Sequence, residues 1–135
     1  MFGLIFDDMS FDIIFTDKAP RPTACYSQAT KFGNLLFTAG QIPYDPKTGE
    51  VVGSTIDEQT RQTLENLKNL LMAAGYSLSD VLKVIIFLKR TIDFEGMNRV
   101  YSEYFKKNPP ARSTVQAEMM NPKLLIELEA IACKK

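Results

Sequence analysis

Residues 124–132 read LLIELEAIA, a run in which two glutamates, Glu127 and Glu129, interrupt otherwise apolar residues. A strand of this composition is normally buried on both faces. Because side chains alternate between the faces of a strand, both glutamates share one face, with their Cα atoms about 6.7 Å apart. A buried carboxylate is costly unless it is paired, hydrogen-bonded or protonated. The two glutamates therefore require a partner or a chemical role.

Two interpretations of this glutamate-bearing face are open. In the first, the face meets another subunit, and the glutamates pair with lysine or arginine there. In the second, one carboxylate lines a cleft and transfers protons, since burial would raise its pKa towards neutrality. Arg112 opens the predicted neighbouring strand. It is a candidate either for a structural ion pair or for bidentate binding of a substrate carboxylate.

Strand and helix patterns divide the rest of the chain. Thr55 and Glu58 form a capping box at the start of a first helix, which Gly75 ends. A second helix near 94–106 stops at Asn-Pro-Pro, and Gly40 is predicted to mark a bulge or a close backbone approach. The predicted strands are 11–16, 25–31, 34–42, 81–88, 112–118 and 124–133. The last two are predicted to be antiparallel across a loop at 119–123.

This order, β-β-β-α-β-α-β-β, predicts an α+β fold with both helices packed on one face of a sheet. At 135 residues the chain is expected to form one domain, 1–135, with 1–10 as a flexible N-terminal extension. That extension is too short and too acidic for a signal peptide. A cytoplasmic protein is therefore expected, without membrane association.

Composition limits the chemistry that the chain can perform. Sixteen Lys and Arg balance sixteen Asp and Glu, and no basic run favours nucleic acid as a partner. Histidine is absent, which excludes His-ligated metals and Ser-His-Asp triads. The two cysteines, Cys25 and Cys133, form no zinc-binding pattern. No metal site is predicted. Any acid–base chemistry must use carboxylates, Tyr, Lys, Cys or water.

Six stretches of the sequence, taken together, resemble the RidA/YjgF family of reactive intermediate (enamine/imine) deaminases, also called the endoribonuclease L-PSP family. They are KAP…YSQA (18–29), GNLLFTAGQIPYDPKTGEVV (33–52), QTLENLKNLLMAAGYSLSDVLKVIIFL (62–88), DFEGMNRVYSEYF (93–105), PARSTV (110–115) and IELEAIA (126–132). The resemblance runs from about residue 16 to 133, nearly the whole chain.

The resemblance implies a chorismate-mutase-like fold assembled as a homotrimer, with a cleft between each pair of subunits. Members of such a family hydrolyse small-molecule 2-imino or enamine acids, such as 2-aminoacrylate, to 2-keto acids and ammonia. No metal or organic cofactor is implied.

Roles for individual residues also follow from the resemblance. Arg112 would bind the substrate carboxylate, and Glu127 would position and activate the attacking water. Tyr26 would close the cleft from one side. Asn98 would add a polar contact, and Gly40 and Thr114 would line the pocket. Glu129 has no implied catalytic role and is expected to form a structural pair.

This chain departs from the family pattern at three places, and other functions compete. Ala24-Cys25 replaces Gly-Pro before Tyr26, Ala39 stands where many relatives carry serine, and Met120-Asn121-Pro122 replaces the usual Leu-Pro-Lys. These changes bear on substrate range more than on reaction class. The alternatives are a non-catalytic module that binds 2-keto acids, and a ribonuclease or translation inhibitor. Arg112 together with Glu127 disfavours the former, and neutral charge without histidine disfavours the latter.

Overall fold

The computed structural model describes residues 10–135, so the predicted extension at 1–10 lies outside the described residues apart from Ser10. The described chain forms six strands and two helices in the predicted order. They are β1 (Asp12–Ile14), β2 (Ala29–Phe32), β3 (Leu35–Thr38), α1 (Ile56–Ala73), β4 (Val81–Leu88), α2 (Phe94–Tyr104), β5 (Ala111–Gln116) and β6 (Ile126–Cys133). Single 3-10 turns at Leu78–Asp80 and Thr91–Asp93 precede β4 and α2.

All six strands form one mixed sheet in the order β1-β2-β3-β6-β4-β5. β6 is an interior strand, antiparallel to both β3 and β4. β5 pairs in parallel with β4, with Arg112 opposite Val84. The prediction that the last two strands are neighbours was therefore wrong, because β4 lies between them. β4 is more apolar than β5. An interior position in the sheet buries β4, and the more polar β5 lies at the edge.

Both helices pack on one face of the sheet, as predicted. Alternate residues of β6, beginning with Ile126 and Leu128, are buried on that face. The buried side of α1 contributes Leu64, Leu67, Leu70 and Leu71, and α2 adds Met97 and Val100 to the same core. Burial of each such side chain stabilises the fold by roughly 1.5–3 kcal/mol.

The opposite face of the sheet, called the open face below, carries no helix. The strand register places Ile13, Thr30, Phe37 and Ile131 side by side there. Ile13 is 65% exposed and Phe37 is 43% exposed. β6, predicted to be buried on both faces, is thus fully buried on one face only within a single chain. Within a single chain this face is therefore an exposed apolar patch.

Five predicted strands proved too long, and for three of them the structure shows the cause. β2 begins at Ala29 instead of residue 25, because the Gln28 side chain bonds the N–H and the carbonyl of Thr16 in place of a backbone ladder there. β3 ends at Thr38, where a bulge follows. β6 begins at Ile126, because the Leu125 N–H donates to the Gln59 side chain.

The Gln59 amide ties α1 to the segment that leads into β6. Gln59 is 1% exposed; its Nε2 donates to the carbonyl of Lys123 at 2.9 Å, and its Oε1 accepts from Leu125 N–H at 2.7 Å. Replacing Gln59 with leucine should lower the free energy of unfolding by about 2–4 kcal/mol, because buried backbone groups lose their partners. Urea denaturation would measure the change.

The matched control for this change is Gln62→Leu on the same helix. Gln62 is only half-buried, and its Nε2 donates to Oδ1 of Asn66 at 3.0 Å and, at the longer distance of 3.5 Å, to the carbonyl of Tyr44. Its loss should cost about 1 kcal/mol or less. Equal losses from both variants would contradict the assigned role of Gln59.

Candidate active site

The structure places the predicted site residues in two groups on opposite faces of the sheet. Tyr26, Gly40 and Glu127 line one cleft. Arg112 and Thr114 lie on β5, on the face that packs against α2, which carries Asn98. The two groups are described in turn as the Glu127 cleft and the Arg112 edge.

The Glu127 cleft has a volume of about 560 Å³. One wall is the segment that follows β3, and the other is the loop before β6. Its lining residues are Thr23, Tyr26, Ala39, Gly40, Ile42, Tyr44, Met120, Asn121, Leu124 and Glu127. Most of this lining is apolar, and Glu127 supplies its only carboxylate. The cleft therefore suits a small organic molecule to which the protein presents one basic or hydrogen-bond-accepting group.

Gly40 lies against the Glu127 carboxylate because the chain bulges after β3. Phe37 pairs with Ile131, and Gln41 then pairs with Leu128, so one strand spends four residues where the other spends three. A Cβ on Gly40 would lie 1.9 Å from Oε1 of Glu127. The prediction of a close approach at Gly40 is confirmed, and the close contact explains why this position needs glycine.

Burial in the cleft raises the pKa of Glu127 above its ordinary value of 4.5, and repulsion from Glu129 adds to the effect. Neither glutamate forms a salt bridge within residues 10–135. Glu129 borders a separate hollow of about 190 Å³ with Lys83. The ammonium of Lys83 donates to Ser113 Oγ at 3.0 Å. Within one chain, therefore, the structural pair expected for Glu129 does not form.

At the Arg112 edge, the guanidinium lies against two aromatic rings. The guanidinium carbon lies 4.8 Å from the ring centroid of Tyr101 and 5.8 Å from that of Phe94. These cation–π contacts position the group without using its hydrogen-bond donors. Arg112 makes no salt bridge with any described residue. Its planar fork therefore remains available to an external carboxylate.

Polar groups accompany Arg112. Asn98 follows Phe94 by four residues and precedes Tyr101 by three, so it lies on the same side of α2. Thr114 lies two residues beyond Arg112 on the same face of β5, and its hydroxyl is buried without a hydrogen-bond partner in the described structure. Burial raises the pKa of Tyr101 to about 12, which keeps this phenol neutral beside the guanidinium.

Arg112 and Glu127 do not meet within one chain. Arg112 is level with Val84 and Glu127 with Phe87, while β4 separates their strands. The offset is roughly 10 Å along the strands and another 10 Å across the sheet, and the two side chains project from opposite faces. The interpretation of Arg112 as a neighbour of Glu127 on adjacent strands was therefore wrong. A site that contains both groups needs two copies of the chain.

Sequence reasoning missed two features of these half-sites. Phe94 and Tyr101 were not predicted as site residues, although their separation of seven residues places both rings on one side of the helix that precedes Arg112. Tyr44 and Asn121, which line the Glu127 cleft, were not recognised as site residues. Their proximity depends on the packing of two loops far apart in the sequence.

A mixed sheet with two helices on one face, and an acid and a guanidinium in separate half-sites, defines a class of small α+β proteins with ligand-sized clefts. The family model described as Endoribonuclease L-PSP matches residues 16–134. The chain belongs to this family, which is the RidA/YjgF family.

Known relatives span nearly the whole chain. A RutC family protein of Pyrococcus horikoshii is 56% identical over 124 residues, covering 92% of this chain and 98% of that protein. Reactive Intermediate Deaminase A, chloroplastic, of Arabidopsis thaliana is 39% identical over 121 residues, covering 90% of this chain and 65% of that protein. The crystal structure of Escherichia coli TdcF with bound serine matches with a TM-score of 0.87 and 37% identity, covering 92% of this chain and 99% of that one.

Within residues 10–135, no helix is both long and apolar enough to cross a membrane. The same residues contain no cluster of three or more His, Cys, Asp or Glu side chains arranged to hold a metal ion.

Proposed function

We propose that this protein is a cytoplasmic, homotrimeric deaminase that hydrolyses 2-imino and enamine acids, such as 2-aminoacrylate, to 2-keto acids and ammonia. One observation carries the proposal: among residues 10–135, Arg112 is held over two rings with no anionic partner, while Glu127 is half-buried with no cationic partner. The two half-sites are complementary. A relative named as a reactive intermediate deaminase and a neighbour with bound serine support a small amino-acid-like ligand.

The open face of the sheet supports the proposed assembly. Its exposed apolar residues include Ile13, Phe37 and Val115. A neighbouring copy that covered them would remove apolar surface from water, which would drive association. Three copies arranged in a ring would place the Arg112 edge of one subunit at the Glu127 cleft of the next. Sedimentation velocity at micromolar concentration would test this arrangement, and a stable monomer would contradict it.

The proposed mechanism needs only positioning and proton transfer. Arg112 of one copy holds the substrate carboxylate, and Glu127 of the next orients a water and takes its proton as the oxygen attacks C2 of the imine. In the protonated imine the C=N π electrons move to nitrogen, which leaves a C–N single bond in a neutral tetrahedral carbinolamine. Glu127 then returns its proton to nitrogen and accepts the hydroxyl proton as the C–N bond breaks, so that ammonia leaves with the bonding electron pair and the keto C=O forms. An enamine enters the same path after protonation at C3. Positioning and general-base help account for several orders of magnitude in rate.

The remaining residues complete the pocket in this proposal. Tyr26, which is 52% exposed in the single chain, would close the cleft over the substrate. Asn98 and the unpartnered hydroxyl of Thr114 would contact polar atoms of the substrate beside Arg112. Gly40 leaves room for the Glu127 carboxylate.

A coupled assay tests the proposal. A serine/threonine dehydratase would generate 2-aminoacrylate or its 2-iminobutanoate homologue, and semicarbazide trapping would follow imine loss against keto-acid formation. Faster clearance with the purified protein is the expected result. No acceleration by a folded oligomer would overturn the deaminase and favour a module that binds 2-keto acids. Cleavage of RNA that persists in Arg112 variants would instead point to a contaminant or a separate activity.

Substituting Gly40 tests whether activity depends on the orientation of the Glu127 carboxylate. In Gly40→Ala the new methyl group would overlap the carboxylate, which must then rotate away from its position in the cleft. A displacement of about 1 Å in a catalytic group can cost on the order of 100-fold in rate, and we expect a loss of that size in kcat/KM. The coupled assay measures it.

Gly49→Ala serves as the control, because a Cβ at Gly49 meets no atom within 4 Å, although its φ of 73° adds strain. This variant is expected to lose stability and keep its activity. Full activity in Gly40→Ala would contradict the proposed position of Glu127.

A further inference from the structure

One hydrogen bond joins the two walls of the Glu127 cleft. Nδ2 of Asn121 donates to the hydroxyl of Tyr44 at 2.9 Å. Tyr44 belongs to the segment after β3, and Asn121 belongs to the loop before β6. Because both residues line the cleft, the bond fixes the distance between its walls at this end.

Both partners are held in place by other bonds. The carbonyl of Tyr44 accepts from Nδ2 of Asn66 at 2.8 Å, and Asn66 is fully buried on α1. Oδ1 of Asn121 accepts from Lys123 N–H at 3.0 Å, which orients the amide so that its Nδ2 faces Tyr44. The Tyr44 ring is therefore a fixed part of the wall instead of a freely rotating surface side chain.

Tyr44 also separates two cavities. On one side lies the Glu127 cleft of about 560 Å³. On the other lies a groove of about 620 Å³ whose lining includes Arg21 and Lys47. Tyr44 and Thr23 are the residues that line both cavities. Since threonine is small, the phenol ring is the main barrier between them.

The lining near this barrier is apolar. Ile42, Leu124 and Met120 lie in the walls that Tyr44 and Asn121 connect. A substrate whose C2 atom is next to Glu127 would extend its side chain along these residues towards the Tyr44 ring. The cleft therefore suits aliphatic side chains of limited length.

We infer that Tyr44 and Asn121 form a specificity-determining pair that closes the far end of the cleft and limits the length of the apolar side chain on a 2-imino acid. The inference rests on the proposed function. Removing the ring would connect the cleft to the neighbouring groove, whereas removing only the hydrogen bond would loosen the barrier and leave it in place.

The test compares imines of increasing chain length. An L-amino-acid oxidase with catalase would generate them from alanine, 2-aminobutyrate, norvaline and norleucine, and semicarbazide trapping would give kcat/KM for each. Tyr44→Ala should reduce the preference for short over long side chains by roughly tenfold or more. Tyr44→Phe and Asn121→Ala should each reduce it by a smaller and equal factor. Their double variant should reduce it no further, because both changes break the same bond.

A matched control is Tyr104→Phe, which removes a phenol that donates to Glu65 at 2.8 Å between the two helices, away from the cleft. Its chain-length preference should equal that of the unmodified protein. Circular dichroism melts would show which variants fold. If Tyr44→Ala does not fold, Tyr44→Phe and Asn121→Ala decide the question.

Failure of the inference and failure of the proposed function give different results. An active protein whose chain-length preference is unchanged in the Tyr44 and Asn121 variants overturns the inference alone. If no imine is cleared faster, the proposed function fails, and calorimetric binding of the corresponding 2-keto acids replaces kinetics. A chain-length dependence of Kd that Tyr44→Ala removes would then support the pair. An unchanged dependence, or no binding, would overturn it.

Discussion

Replacing Arg112 with alanine is expected to lower kcat/KM for a 2-imino acid by on the order of 1000-fold. The guanidinium would make a bidentate, charge-assisted contact with the substrate carboxylate, and truncating one partner of such a pair costs about 3–5 kcal/mol. The coupled dehydratase assay measures the change. Because Arg112 also packs on Tyr101 and Phe94, a small loss of stability is expected as well, and thermal melts would separate it from the loss of activity.

Two further variants define what Arg112 does. Arg112→Lys keeps the charge and loses the planar fork, so it should recover only part of the activity. Arg99→Ala is the matched control, since Arg99 lies on α2 and pairs with Asp57 at the surface. That variant should stay close to full activity. Comparable losses in Arg99→Ala and Arg112→Ala would show that the effect is structural and would refute the assigned role.

Replacing Glu127 with glutamine should produce the second large effect, a decrease in kcat of about 100- to 10,000-fold, which is the usual contribution of a general base. Glutamine preserves the size of the side chain and removes its ability to take a proton. Glu129→Gln is the control on the same strand and the same face. It should remain active. In this variant the acidic limb of the activity–pH profile should move to lower pH, because Glu129 contributes to the raised pKa of Glu127.

The pH dependence of Glu127 gives a separate test. Since burial raises its pKa above 4.5, activity should fall on acidification at a pH higher than that at which an exposed glutamate is protonated. Stability should change in the opposite direction. The folded protein holds this proton more tightly than the unfolded chain, so the free energy of unfolding falls as pH rises from 4.5 through the raised pKa. Above that range Glu127→Gln should be more stable than the unmodified protein, and below it the difference should vanish.

Urea denaturation across this pH range distinguishes the two initial interpretations of Glu127. A variant that loses activity and gains stability at neutral pH identifies a catalytic carboxylate held at a cost to the fold. If Glu127→Gln is instead less stable at neutral pH, the carboxylate forms an ion pair across the subunit boundary, and its role is structural.

Local signals were sufficient for much of the fold. The capping box at Thr55 and Glu58 is present, and Gly75 adopts a φ of 81° beyond the end of α1. These features depend on neighbours within a few residues, so sequence spacing carries them. The order of elements and the α+β class follow from the same local patterns and are confirmed.

Strand neighbours could not be read in the same way. β5 and β6 are consecutive in sequence, yet β4 lies between them, because burial of the most apolar strand outweighs a short connection. The Gln59 side chain sets the start of β6 at Ile126 through a contact with Leu125 across 66 residues. No local pattern contains that information.

The residue types available for chemistry are visible in the sequence: it contains no histidine, an arginine in PARS and a glutamate in IELEAIA, and it belongs to a family that includes a reactive intermediate deaminase. The positions of those groups depend on the fold. Alternation along β6 directs Glu127 to the open face, and the parallel register of β5 directs Arg112 to the helix face. Side-chain direction depends on register and on strand order, which are set by burial across the whole sheet, and so only the folded chain shows that Arg112 and Glu127 lie apart within one copy.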